Sequence, residues 1–310
     1  MPRLCPSIEE LMLASGIITA GDMAASRQGQ VTATYDKFAD PDATIEKQAL
    51  SIVDTDVQEQ LLRNLGSVFP KQFHLIAEES NDRIEALVKQ YFLTGNSLAE
   101  NELTIIIDPI DGSANYLSVS LGADKSRERN KDFWAVSLCL LRGTEPLVGV
   151  MYFPNLKVIL TAEKGRGAQI NNQRATIPPG IEFNPEHPMR ISHGVDGSLE
   201  LIKNKIRRQI RTGSLCITFL ALLKHSASDP ALSVLPDCFA YISDNALLTD
   251  LGVGPLAWTE AGGVVLDAAG RDVNPFTQTI AADDGRRTHG AFFVVPSKQY
   301  GLDLLAYFQS

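Results

Sequence analysis

Apolar positions along this 310-residue chain recur with two periods, and each change of period marks a new element. Ile84, Leu87, Val88, Tyr91 and Phe92 fall at i, i+3, i+4, i+7 and i+8, which predicts an amphipathic helix over 83–94. Val57, Leu61, Leu62 and Leu65 share one face of a second helix, from about Thr55 to Val68. A helix over 7–28 opens at Ser7 with Glu10 three residues on, the pattern of a capping box. Strands are predicted at Phe73–Ala77, Thr104–Ile107, Phe133–Leu141, Pro146–Phe153 and Val158–Ala162, the second apolar enough to be buried on both faces. The polar stretches 29–46 (loop or hairpin) and 124–132 (loop) separate these elements. Residues 177–188 hold four of the sixteen prolines. That segment is the expected boundary between an N-terminal α+β domain, 1–182, and a C-terminal α/β domain, 183–310.

Charge narrows the partners. With 28 Lys and Arg against 37 Asp and Glu, the net charge is −9, which argues against a nucleic acid polymer. The densest basic stretch, Lys203, Lys205, Arg207, Arg208 and Arg211, contains no aromatic residue and reads as a solvated helix face. The four cysteines form no CxxC pair, so reduced thiols and a cytoplasmic location are expected. The apolar run Leu11–Ala20 is too short to span a bilayer and follows Glu9 and Glu10, so no membrane partner is expected.

The carboxylates carry the chemistry. Glu78, Asp108 and Asp111 all lie just past the ends of predicted strands, the edge where α/β sheets bind ligands. Pro109 holds Asp108 extended, so both aspartates and the Ile110 carbonyl can point into one pocket. Such oxygen donors, with no His or Cys nearby, suit a small hard cation: Mg²⁺, or Mn²⁺. The backbone N–H groups of Gly112 and Ser113 would then cradle a phosphate. Each residue also has a plainer reading. Asp-Pro and Asp-Gly are common turn pairs, and Asp56 and Asp250 each precede a predicted helix, where an N-cap is the default. Glu79 reads as a surface or supporting residue.

Three separated motifs resemble the inositol monophosphatase superfamily, the lithium-sensitive, Mg²⁺-dependent phosphatases. Ala77-Glu-Glu-Ser80 is similar to its G-E-E-S, and Asp108-Pro-Ile-Asp-Gly-Ser-Ala-Asn-Tyr116 to its D-P-[IL]-D-G-T-x-N-F. Thr249-Asp250, followed ten residues after the Asp by Glu260-Ala-Gly-Gly263, is similar to its W-D…E-A-G-G. Weaker echoes are Phe133-Trp-Ala-Val-Ser137, Lys164-Gly-Arg-Gly-Ala168 and Arg211-Thr-Gly-Ser214. The resemblance implies an α+β / α/β fold, a layered α/β/α/β/α sandwich, usually as a homodimer. It implies two or three Mg²⁺ ions, a first held by Glu78, Asp108 and the Ile110 carbonyl and a second by Asp108, Asp111 and Asp250. It further implies attack on phosphorus by an activated water that Glu78, Ser113 and Asp56 orient, with Asp54 competing for the role of Asp56. Gly213 and Ser214 match a helix start in the phosphate and substrate region. Inositol-specific members carry an acidic residue about seven positions before the last Asp, where this chain has Ser243 with Asp244 beside it.

These readings predict a Mg²⁺-dependent phosphomonoesterase for a small phosphorylated polyol or sugar. Ser243 weakens the case for inositol itself and leaves open sugar phosphates, fructose bisphosphate, histidinol phosphate and adenosine 3′,5′-bisphosphate. Alternatives are a 3′(2′),5′-bisphosphate nucleotidase or histidinol-phosphate phosphatase, the nucleotidase drawing on basic residues at 124–130, and a regulatory member that binds metal and sugar phosphate without turnover. Two segments, near 81–102 and 117–132, are longer than in compact members. The first reads as a packing or dimer element and the second as a solvated loop bordering the site.

Overall fold

A computed structural model describes residues 5–30, 45–93, 98–118, 130–192, 200–278, 287–288 and 290–310. Most of the predicted 29–46 and 124–132 loops therefore lies outside the described residues. Helices α1 (Ile8–Ser15), α2 (Ile17–Arg27), α3 (Ile45–Val68) and α4 (Asp82–Tyr91) form the first layer, with β1 (His74–Ala77) between the last two. The Ser7–Glu10 capping box is present. The single helix expected over 7–28 is broken at Gly16, which caps α1 at φ 62°. Helix α3 begins ten residues before the predicted start, so Asp54 and Asp56 sit inside it and neither caps it. Val57, Leu61, Leu62 and Leu65 are fully buried on its inner face. Ile84 and Leu87 anchor α4, and the packing role expected for the 81–102 segment is the one it takes among the described residues.

Against these helices lies a seven-stranded sheet. It comprises β1, β2 (Leu103–Asp111), β3 (Ala135–Arg142), β4 (Glu145–Phe153), β5 (Val158–Glu163), β6 (Gly167–Ile170) and β7 (Gln173–Ala175), in that spatial order. Short helix α5 (Ser113–Leu117) follows β2. Alternation along β2 settles the layers: Ile105 and Ile107 pack on the helices, whereas Ile106 packs on the opposite face. A second, four-stranded sheet is built from β8 (Met189–Ile191), β9 (Ala240–Ser243), β10 (Val264–Asp267) and β11 (Phe292–Val295), in the order β10-β11-β9-β8. Between β8 and β11 in the chain come α6 (Glu200–Lys205), α7 (Leu215–Leu222), α8 (Leu248–Leu251) and α9 (Gly254–Glu260).

Helices α7 and α9 are sandwiched between the sheets, with Tyr241, Val265, Phe292 and Val294 facing them. The alternate residues Ile242, Leu266, Phe293 and Val295 face away and pack with Tyr300 and Leu304 of the C-terminal helix α10 (Lys298–Gln309). The result is the five-layered α/β/α/β/α sandwich. Of the basic stretch read as a helix face, only Lys203 and Lys205 lie in α6, and Arg207 pairs with Glu186 beyond it. The helix expected after Asp250 is instead two, α8 and α9, interrupted at Gly252, so Asp250 lies within α8 and is not an N-cap. No helix among the described residues is long and apolar enough to cross a membrane.

Candidate active site

A bulge in β2 decides where its aspartates point. In an unbroken strand, residues three apart face opposite sides. Here Asp108 pairs with Ser137 and Asp111 with Ala135, so three steps on β2 answer two on β3. The extra residue brings Asp111 round to the side of Asp108. Pro109 has no N–H to lose from the ladder at this point. The Ile110 N–H donates to Asp108 Oδ1 at 3.0 Å, and Ser113 Oγ donates to the Ile110 carbonyl at 3.0 Å.

Asp250 comes from α8, which packs on β2 from the layer between the two sheets. Carboxylate oxygens of Asp108, Asp111 and Asp250 lie within 4.8 Å of one another. Glu78, past the end of β1, shares a hydrogen bond with Asp108. Gln58 of α3 holds the adjoining backbone, its Nε2 donating to the Glu79 carbonyl at 2.7 Å and its Oε1 accepting from the Glu79 N–H at 3.0 Å. Burial, then the charges of Glu78, Asp111 and Asp250, push Asp108 well above the usual carboxylate range. Burial, then Asp111 and Glu78, push Asp250 up to about 8, against the opposing pull of Arg190 and Arg287.

The N-terminus of α7 faces this cluster. Ser214 Oγ donates to Asp111, the Leu215 N–H donates to Asp111 Oδ1 at 3.1 Å, and the Cys216 N–H donates to Oδ2 at 2.5 Å. These are unpaired donors of a helix's first turn, and the helix dipole favours the carboxylate there. Ser214 is also the N-cap, accepting from the Ile217 N–H at 3.0 Å. Gly213 precedes it at φ 72°, and a Cβ there would come within 2.5 Å of Asn115. Asn115 Nδ2 in turn donates to the Phe133 and Thr212 carbonyls, both at 2.7 Å, tying α5 to the α7 entry. Gly213→Ala is therefore expected to destabilise the fold by about 1–3 kcal/mol, read as a lowered melting temperature. An unchanged melting temperature would show that the α7 entry is less constrained than this packing implies.

Not every expected site residue joins the cluster. Asp56 forms an ion pair with Arg27 at 2.6 Å and keeps a third of its side chain exposed. Asp54 is buried where α3 meets α5, and its charge reaches Tyr116. Ser243, fully buried in β9, accepts from Ser192 Oγ at 2.7 Å, and Asp244 beside it is also buried. Gly112 starts α5 at φ 97°, with Ser113 half-buried after it.

Sequence reasoning passed over four residues. Asn115 lay inside a motif already singled out. Gln58, Arg190 and Arg287 gave no signal, because their partners are distant in the chain. Arg190 Nη1 donates to Thr212 Oγ1, the Ser214 carbonyl and Thr218 Oγ1, which locks it beneath the α7 entry. The Glu260 carboxylate accepts from the Gly165 and Gly167 N–H groups at 2.7 and 2.8 Å. That contact gives a physical reason for the E-A-G-G and K-G-x-G-A motifs to occur together.

Known proteins resemble this chain in sequence and in fold. The chain is 26% identical over 175 residues to a fructose-1,6-bisphosphatase of Pyrococcus furiosus, covering 56% of this chain and 59% of that one. It is 28% identical over 124 residues to inositol monophosphatase 1 of Saccharomyces cerevisiae, covering 40% and 34%. The chain thus spans less than two thirds of the length of these two relatives. Among solved structures, the extragenic suppressor protein suhB of Bartonella henselae superimposes with a TM-score of 0.67 at 18% identity, over 98% and 99% of the two chains, which shows a shared fold. A model of the inositol monophosphatase family matches residues 19–295. With that match running through both sheets and the carboxylate cluster between them, the chain belongs to the inositol monophosphatase family, a family of phosphoric monoester hydrolases.

Proposed function

We propose that this protein is a Mg²⁺-dependent phosphomonoesterase acting on a small phosphorylated polyol or sugar. The convergence of Asp108, Asp111 and Asp250 within 4.8 Å, with Glu78 beside them, carries the reading. Burial, and then the like charges of their neighbours, push Asp108 and Asp250 upward, so the ionised cluster calls for a counter-charge. An all-oxygen set of that charge fits a hard divalent cation, Mg²⁺ or Mn²⁺. Glu78, Asp108 and the Ile110 carbonyl would hold one ion, and Asp108, Asp111 and Asp250 a second. When bound, the ions supply Lewis-acid activation of water and offset charge on the phosphoryl oxygens.

The chain's own residues have separate tasks. The Gly112 and Ser113 N–H groups bind the phosphate at the start of α5. Ser113 Oγ, fixed on the Ile110 carbonyl, and Glu78 orient the attacking water, and Glu78 accepts its proton. Asp111 is held in place by three donors from Ser214, Leu215 and Cys216, two on Oδ2 and one on Oδ1, which leaves one lone pair of Oδ1 for a cation. Ser243 and Asp244 would border the leaving alcohol. The basic residues on which a nucleotidase reading draws, Lys125, Arg127 and Arg129, all lie outside the described residues.

The helper carboxylate on α3 is Asp54 in this proposal. It is buried toward α5, while Asp56 is engaged by Arg27. Asp54→Asn is expected to lower kcat by about a hundredfold, the range of a positioned acid–base group, and Asp56→Asn by less than about threefold. The reverse order would return the role to Asp56. The general test is phosphate release from inositol, sugar, histidinol and nucleotide phosphates, with Mg²⁺ and with EDTA. Folded protein that binds Mg²⁺ and releases phosphate from none of them would overturn the phosphatase reading.

A further inference from the structure

Alternation along β8 decides which way its middle residue faces. Met189 and Ile191 pack toward the C-terminal helix α10, so Arg190 between them is turned to the opposite face, toward α7. Its pairing partner on β9, Tyr241, faces the same way. That side holds the apolar helices between the sheets, where a guanidinium without partners would cost stability. Arg190 is half-buried there, and the acceptors of its Nη1 are neutral oxygens: Thr212 Oγ1, the Ser214 carbonyl and Thr218 Oγ1. Neutral acceptors gathered at one point do not cancel a charge. They hold a segment in place.

The segment is the entry to α7. Upstream of it the chain runs beside β8, the Met189 N–H donating to the Arg208 carbonyl and the Ile210 N–H to the Met189 carbonyl, both at 2.9 Å. Thr212 and Thr218 are fully buried, and their hydroxyls donate to the same Ser214 carbonyl at 2.6 and 2.9 Å. The other end of Ser214 serves the carboxylate cluster. Its Oγ donates to Asp111, as do the Leu215 and Cys216 N–H groups that follow it. One residue thus connects β8 to Asp111. The lone pair that Asp111 keeps for a cation is aimed only as well as these three donors are, and all three sit at the start of α7.

We infer that Arg190 is a positioning residue for Asp111: it fixes the N-terminus of α7 against β8 and thereby strengthens binding of the cation that Asp111 would hold. This rests on the metal-dependent reading above and adds to it a residue outside the cluster. The sign of the effect separates position from charge. The charge of Arg190 reaches Asp250, and a positive charge near a cation site opposes the cation. If Arg190 acted by its charge alone, its removal would tighten Mg²⁺ binding. Acting by position, its removal weakens it.

The test is calorimetric Mg²⁺ binding to the folded full chain, with melting temperatures in EDTA beside it. Arg190→Met is expected to weaken binding about tenfold, the lower end for an outer partner of a metal ligand. Arg190→Lys keeps the charge and some of the donors and should recover part of that loss. In an Asp111→Asn background, Arg190→Met should change the remaining affinity by less than about twofold, because the charge it positions is gone. Phe293→Leu, on the far face of the second sheet, supplies a loss of melting temperature by packing alone and should leave Mg²⁺ affinity within about twofold. If Arg190→Met does not fold, Arg190→Lys and Thr218→Val carry the test, each expected to weaken binding about threefold. Tighter or unchanged binding in the Arg190 variants, equal weakening by Phe293→Leu, or the full loss persisting in Asp111→Asn overturns the inference. Wild-type protein that binds Mg²⁺ but hydrolyses no ester overturns the phosphatase reading and leaves this test standing, since every readout is binding or melting. Wild-type protein that binds no Mg²⁺ overturns both.

Discussion

Asp108→Asn should abolish Mg²⁺-dependent phosphate release, by at least about a hundredfold, while making the cation-free protein more stable. The two effects have one cause. Asp108 is 1% exposed and faces Glu78, Asp111 and Asp250, so its ionised form is opposed by burial and by three like charges. Asparagine keeps an oxygen for the Ile110 N–H, which now donates at 3.0 Å, and removes the charge. The melting temperature in EDTA should therefore rise by a few degrees, and the rise that Mg²⁺ produces in the wild type should vanish. A purely structural Asp108 would behave oppositely: its removal would lower the melting temperature and leave the Mg²⁺ response intact. Scanning fluorimetry with and without Mg²⁺, beside the phosphate-release assay, separates these cases.

The second large effect is on pH. Asp250 titrates at about 8 in the folded chain and near 3.9 when unfolded. Between those values the folded state binds the extra proton, so the stability of cation-free protein falls as pH rises from about 4 to about 8 and levels off above. Asp108, displaced in the same direction, adds to this slope. Bound cation prefers the ionised carboxylates, so Mg²⁺ competes with these protons. Apparent Mg²⁺ affinity should strengthen by up to about tenfold per pH unit below 8, the limit for one released proton per ion. Melting curves at half-unit steps from pH 5 to 9 should slope downward in EDTA and flatten in saturating Mg²⁺, and Asp250→Asn should reduce the EDTA slope. A stability that climbs with pH in EDTA would mean that the cluster does not carry the repulsion this geometry requires.

Much of this was legible from local pattern. The helix faces of Val57, Leu61, Leu62 and Leu65 and of Ile84 and Leu87 are buried as their spacing requires, because a stripe of apolar residues has to find a partner. The Ser7–Glu10 cap formed because every atom of it lies within four residues. The start of α3 was missed by ten residues, since its first turns carry no clean apolar stripe. The N-caps expected at Asp56 and Asp250 failed for a related reason. An aspartate near a helix start satisfies the same local statistics whether it caps, pairs with an arginine as Asp56 does, or joins a buried cluster as Asp250 does.

The sequence by itself determined the residue types of the site, the strand end that displays Glu78, and the alternation that makes a layered sandwich, but not that β2, expected to stop at Ile107, runs on through Asp108 to Asp111. Local periodicity and donor chemistry are properties of neighbours in the chain, so they can be read without a fold. Only the tertiary structure decided the rest. It placed Asp250 of α8 against Asp108 of β2, set the α7 N-terminus on Asp111, turned Asp111 through the β2 bulge, and paired Arg287 with Leu247. Each of these depends on packing between segments far apart in the chain, and spacing along a sequence carries no record of distance in space.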